Sequence, residues 1–228
     1  MKTINFVIIT LCLINSCNSN FNNSKNSNTM EKYDFELMKE FTSRGVLDTV
    51  IKRGDTLIFV NSMTESGSFY NEYPPAPTFY HVVKVFYPNG ILKHKGKYIR
   101  NIEIGIWQDY DEKGRLLKEE DEDRKFGRIK LDWILKFIEK EGWIDLKTGR
   151  GREEIVYTSS DRGYIKNGIF TLGFFKKGEY PHKFNDYPLW VIIIEDCPET
   201  GFIETVYEIH GDTGEVLSKK SEQIFRKE

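Results

Sequence analysis

The chain has 228 residues and a formal net charge of −2, which becomes −3 if Lys2 leaves with a leader. Phosphate binding needs a basic excess, so this balance argues against nucleic acid as a main partner. With 16 Phe, 12 Tyr and 4 Trp the chain carries more apolar mass than disordered sequences do, so most of it is expected to fold, as one large or two small domains.

Lys2 precedes Phe6 to Ile14, a run that is apolar except for Thr10. It is too short for a membrane span, which takes about 20 residues, and fits the hydrophobic region of a signal peptide over residues 1–16. Ile14-Asn15-Ser16-Cys17 resembles the lipobox of bacterial lipoprotein precursors, with an aliphatic and a small residue ahead of a Cys. That resemblance implies a diacylglycerol on the Cys17 thiol and cleavage before it. It also implies lipid anchorage in the cell envelope, by default facing the periplasm and on the outer membrane. Two or three acyl chains hold firmly where one is marginal. Residues 17–29 then form a tether: six Asn and three Ser among residues 18–29 leave little to bury. Cys12 leaves with the leader and Cys17 is acylated, so Cys197 has no intramolecular disulfide partner. No basic residue stands within four positions of it, and it reads as a small packing residue rather than a reactive thiol.

Residues 30–120 read as a β-rich domain. Tyr33 to Phe41 suits a short helix or an edge segment. Val46 to Ile51 and Thr56 to Val60 are β-branched and apolar around Lys52-Arg53-Gly54-Asp55, which predicts a hairpin. Glu65 to Thr78 reads as loop, because Pro74, Pro75 and Pro77 remove backbone donors. Phe69, Tyr70, Tyr73, Phe79 and Tyr80 crowd around it and are assigned to the core rather than to a binding loop.

An internal echo follows. Phe86-Tyr87-Pro88-Asn89-Gly90-Ile91-Leu92-Lys93 is answered by Asp109 to Lys118, with Tyr110 and Gly114 in the corresponding places and a Tyr-to-Tyr spacing of 23. Between them stand Gly96-Lys97-Tyr98 and Gly105-Ile106-Trp107. A period in the low twenties suits stacked hairpins, each too small to hold a core alone. This spelling resembles the MORN-type repeat of bacterial exported proteins, and in particular the variant known as a toxin–antitoxin antitoxin repeat. It spans residues 81–120. The resemblance implies a β-hairpin array with a binding surface, on which Tyr87, Asn89, Gly90, Trp107, Tyr110 and Gly114 are the candidate residues.

Glu119 to Lys125 is a charge run, read as a solvated connector. Ile129, Trp133 and Phe137 then recur at helical spacing, with Ile134 and Ile138 alongside and Gly142 as the stop. Ile155 to Tyr157, Ile169 to Phe175, Leu189 to Ile194, Phe202 to Ile209 and Glu215 to Leu217 read as strands. Trp133 and Phe137 are expected to pack on Trp190 to Ile194, the most apolar strand nearby. Trp190 to Ile194, Tyr207-Glu208-Ile209 and Gly211 to Leu217 are similar to the end of PepSY-like domains, in which a helix lies across a short antiparallel sheet. The expected fold class is therefore α+β, mostly antiparallel β: a β-hairpin repeat sheet, then over residues 129–228 a helix packed on an antiparallel sheet, PepSY- or cystatin-like. Asp212-Thr213-Gly214 shares its spelling with aspartic proteases but sits in a polar hairpin turn, where Asp and Gly serve the backbone.

His81, His94, His182 and His210 stand far apart in sequence, and none has a metal-ligand spacing. Neither a phosphate-binding Gly loop nor a nucleophile elbow is present. The sequence thus points to a noncatalytic binding or scaffold lipoprotein of the cell envelope, with no cofactor, a membrane held through the lipid, and a protein partner. The resemblances imply two alternatives, an immunity or antitoxin protein that covers one toxin, and a peptidase-inhibiting PepSY-type module.

Overall fold

In the computed structural model, which describes residues 31–46, 48–159, 162–166, 168–181, 185–196 and 202–224, the first hairpin forms around Gly54. The leader, Cys17, the tether, His182 and Cys197 lie outside the described residues. Strands β1 (Asp48–Arg53) and β2 (Thr56–Asn61) pair with Arg53 opposite Thr56, and Gly54 takes the positive φ of 59° that the tight turn demands. Five more strands continue the meander: β3 (Ser68–Tyr73), β4 (His81–Phe86), β5 (Leu92–Ile99), β6 (Ile102–Tyr110) and β7 (Leu116–Asp121). All seven lie side by side in sequence order, each antiparallel to the next. Two segments read otherwise from sequence are therefore corrected. Residues 68–73 are a strand, because the prolines start only at Pro74 and β2 and β4 satisfy the backbone on both sides. Residues 119–121 belong to β7, and only Glu122–Lys125, a single 3-10 turn, connects.

One face of this sheet is covered by α1 (Phe35–Ser43), which Asp34 caps by accepting from the Leu37 amide at 3.0 Å. Met38 joins Tyr33, Ile58, Val60, Tyr70, Phe86 and Leu92 in a buried cluster there. Part of the other face meets the hairpin of β8 (Glu154–Ser159) and β9 (Arg162–Lys166) through Val50, Tyr73 and Ile155. Strand β9 had no counterpart in the sequence reading.

The second large sheet runs β10 (Phe170–Phe175), β11 (Leu189–Asp196), β12 (Phe202–His210) and β13 (Val216–Ile224), again antiparallel throughout. Helix α2 (Leu131–Lys140) crosses it, and the fold is α+β with mainly antiparallel sheet. Ile134 and Ile138, not Trp133, are the residues that pack the helix on Trp190, Ile192 and Ile194. The 134/138 row faces the sheet and Trp133 lies on the rim, 37% exposed. There Trp133 stacks on Phe137 at 5.7 Å, itself edge-on to Tyr207, and lies against Gly214. Gly214, with φ 75°, makes the turn between β12 and β13, and Asp212 Oδ1 accepts from the Arg128 amide at 3.1 Å. Asp212 therefore ties the turn to the helix approach.

The two large sheets share a core. The tip of the β5–β6 hairpin carries Ile99 and Ile102 into the cluster of Phe126, Ile134, Ile138, Phe170, Trp190 and Tyr207.

Candidate functional site

The two repeat turns have the same geometry. Tyr87 and Asp111 donate their amides to Ile91 and Arg115 at 2.8 and 2.9 Å, and Gly90 and Gly114 donate back at 2.8 Å, at φ 79° and 77°. Each hairpin shifts register once beside the turn, so that Phe86 faces Leu92 and Tyr110 faces Leu116. The structural offset is thus 24 residues: Tyr110 stands where Phe86 does, and Asp111 where Tyr87 does. This corrects the Tyr-to-Tyr equivalence, which runs one residue short.

Side chains join one turn to the next. Tyr87 Oη donates to the Tyr110 carbonyl at 2.9 Å, and Asn89 Nδ2 to the Glu112 carbonyl at 3.2 Å. Asn89 Oδ1 accepts from Ile91 at 3.0 Å. Of the six candidate residues, the structure therefore gathers Tyr87, Asn89, Gly90, Tyr110 and Gly114 at one end of the sheet. The hydroxyl of Tyr87 and the amide of Asn89 are engaged with the neighbouring turn.

Trp107 stands apart from that group, 5% exposed. Its indole lies flat over Gly96, with His94 at 4.6 Å and Tyr98 at 4.9 Å between ring centres, and its Nε1 has no hydrogen-bond partner among the described residues. The aromatic row runs on through His81, 5.8 Å from Tyr98, to Tyr73, 5.0 Å further. Burial and the Glu103 carboxylate push the Tyr98 hydroxyl up to about 12, and burial raises that of Tyr73. Both phenols therefore stay neutral at physiological pH.

A polar cluster closes this row. Arg100, in the left-handed region at φ 55°, reaches Glu153 Oε1 at 3.2 Å and Thr171 at 3.5 Å, and His81 Nδ1 lies 3.3 Å from Glu153 Oε2. Among the described residues Arg100 Nε and His81 Nδ1 lack hydrogen-bond partners of good geometry. Arg100 and Glu153 are 53 residues apart, which is why no spacing in the sequence announced them. The other described histidines are also occupied: His94 with Asp109, His210 stacked on Tyr187 at 4.3 Å. Among the described residues, no three His, Cys, Asp or Glu side chains converge as metal ligands would.

The last repeat ends in an open edge. Among the described residues strand β7 pairs with β6 alone, and Leu116 and Leu117 are 51% and 66% exposed, whereas Leu92, the counterpart of Leu116, is 3% exposed. A groove of about 490 Å³ is lined by Lys118, Glu119, Glu120 and Asp121 of β7 together with Glu122, Arg124, Lys125 and Lys176, four cations and four carboxylates. Lys125 and Lys176 also border a second groove of about 460 Å³, walled by Tyr98, Ile102, Phe174 and Phe175. On the helix side, a cleft of about 570 Å³ is lined by Tyr80, Lys97, Ile104, Asp123, Lys130 and Asp132. Its charges are partly satisfied internally, since Lys130 caps the carbonyls of Asp123 and Phe126 and Lys97 lies over the Tyr80 ring. These depressions offer extended surface of mixed polarity.

Comparison with protein-family models, with curated proteins and with solved structures returns no match.

Proposed function

We propose that the chain is a lipid-anchored cell-envelope protein, noncatalytic, that holds a protein partner on the end of its seven-stranded sheet. The anchor rests on the sequence, where the apolar run Phe6 to Ile14 abuts Ile14-Asn15-Ser16-Cys17. The binding role rests on one contrast. The repeat puts the same apolar residue in the same place twice, and only the first copy is covered: Leu92 is buried and Leu116 is not. Large apolar side chains exposed together on a sheet edge are costly in water and mark interaction sites. The MORN-like spelling of residues 81–120 supports the same reading by resemblance, as a surface rather than a reaction centre.

Two measurements in the native host test it. Labelling with a radioactive fatty acid should mark the wild-type chain and not Cys17→Ser. A photoreactive amino acid at position 117 should crosslink one defined protein, and the same group at the buried position 92 should not. Labelling that persists in Cys17→Ser removes the anchor, and an absence of any crosslink from position 117 removes the binding surface.

A further inference from the structure

We infer that β13 is an interface between two copies of this chain, paired antiparallel about a two-fold axis through Ser221. It is a separate surface from the β7 edge, and either can exist without the other. Among the described residues β13 pairs with β12 alone. Residues 218–224 match residues 202–208 one for one, without a bulge, so the strand presents a regular edge of unpaired backbone groups. The opposite edge, β10, meets the seven-stranded sheet where Arg100 bonds Thr171, so β13 lies on the far side from that sheet.

Charge selects a second copy. Glu195 stands opposite Glu204, and Glu204 opposite Glu222, which puts three carboxylates in one row across β11, β12 and β13. Like charges directly opposed repel, and among the described residues none of the three has a cation partner. Two residues along from Glu222 on the same face, Lys220 is exposed and also without an ion pair among the described residues. A two-fold axis normal to the sheet at Ser221 sets Lys220 against Glu222 of the second copy, and Glu222 against its Lys220. The four side chains then form a square in which each charge has its opposite on both neighbouring corners. An axis at Lys219, Lys220 or Glu222 would oppose like charges, so the sequence of β13 fixes the register as well as the partner. Ser221, at the axis, is small, and its hydroxyl is already engaged with Thr205 at 2.9 Å. Lysines on an edge also ward off stray strands, but guarding alone leaves the carboxylate row unanswered.

The test uses the full chain in detergent micelles, with Cys197→Ser so that mild oxidation joins only an introduced thiol. Ser221→Cys should form a disulfide-linked dimer, because directly opposed residues of an antiparallel pair stand about 4.5–5.5 Å apart between Cα atoms, within disulfide range. Ser218→Cys should not, since that register holds its two copies roughly 20 Å apart along the strands. Sedimentation equilibrium in density-matched detergent then reads the charges. Lys220→Glu and Glu222→Lys should each weaken the dimer by about tenfold or more. Mixed in equal amounts, these two variants should dimerise with each other, because every opposed pair then joins unlike charges; that recovery also shows that each variant is folded. A wild-type chain that stays monomeric across the concentration series overturns the inference. Equal disulfide yields at positions 218 and 221, or a mixture no more dimeric than its components, overturn it too. So does tighter association on Lys220→Ser, the result expected if the lysines only guard the edge.

Discussion

The indole of Trp107 rests directly on Gly96, and a methyl group at Gly96 would overlap the ring. Glycine is needed here for space, not for its backbone freedom. Gly96→Ala must push Trp107 out of its slot between His94 and Tyr98, and overpacking of this kind costs about 1–3 kcal/mol. The expected outcome is a lower urea midpoint with a shifted tryptophan emission. An unchanged midpoint would mean that the indole has other room.

The helix supplies a graded pair. Ile138 is 1% exposed and Trp133 is 37% exposed. Ile138→Ala leaves a cavity under the helix and should cost about 2–5 kcal/mol, while Trp133→Ala should cost clearly less than the 3–5 kcal/mol typical of a buried aromatic. Asp212→Asn keeps an oxygen acceptor for the Arg128 amide and should barely move the melting temperature. Thermal melting of the three variants in parallel checks the order.

Much of this layout was legible because it is local. The β-branched runs around Gly54, the apolar stretch of β11 and the 3.6-residue period of α2 each carry their own period and stop signal. Strand β3 was hidden, since its aromatics lead into a proline cluster and its pairing partners, not its composition, make it a strand. Trp133 was misplaced because periodicity defines a stripe but not which edge of the stripe the sheet meets. In the candidate site, Tyr87, Asn89, Gly90, Tyr110 and Gly114 could be gathered by their repetition. Arg100, Glu153 and His81 could not, since their contact spans 53 residues between Arg100 and Glu153. The open edge at Leu116 and Leu117 was missed for a similar reason: a repeat read from sequence does not show which copy comes last in the sheet.

Glu141 gives a pH prediction. Lys219 at 2.9 Å and the Tyr207 hydroxyl at 2.9 Å both bond its carboxylate, and they hold it below its ordinary value of 4.5. A carboxyl depressed in the folded state stabilises the fold above its unfolded value and loses that contribution as pH falls through the folded one. Lys219 is half exposed, so solvent screens the pair and its contribution is at most about 1 kcal/mol. Wild type should therefore exceed Glu141→Gln in stability at pH 7 by that modest margin, and the two should converge as pH falls below the ordinary value of 4.5 and through the depressed folded one. A difference that stays constant from pH 7 to pH 3 would exclude the charge as its source.

Arg100 decides how the two large sheets are coupled. The sequence places a boundary between residues 120 and 129, yet the β5–β6 tip carries Ile99 and Ile102 into the core beneath α2. Arg100, between them, bonds Glu153 and Thr171, and it is 12% exposed against 14% for Glu153. Removing one member of a largely buried pair leaves the other charge unanswered, which costs up to about 3–5 kcal/mol, less where water still reaches it. Arg100→Met should thus destabilise the chain, and adding Glu153→Gln should recover part of the loss by removing a buried carboxylate left with His81 as its one remaining neighbour among the described residues. The tip is shared, so the loss should appear in both sheets at once. Peptide-resolved hydrogen exchange separates β4–β6 from β10–β12: matching losses of protection in Arg100→Met would show one cooperative unit. Loss confined to β4–β6, with β10–β12 protected as in wild type, would show that the sheets unfold independently despite the shared core.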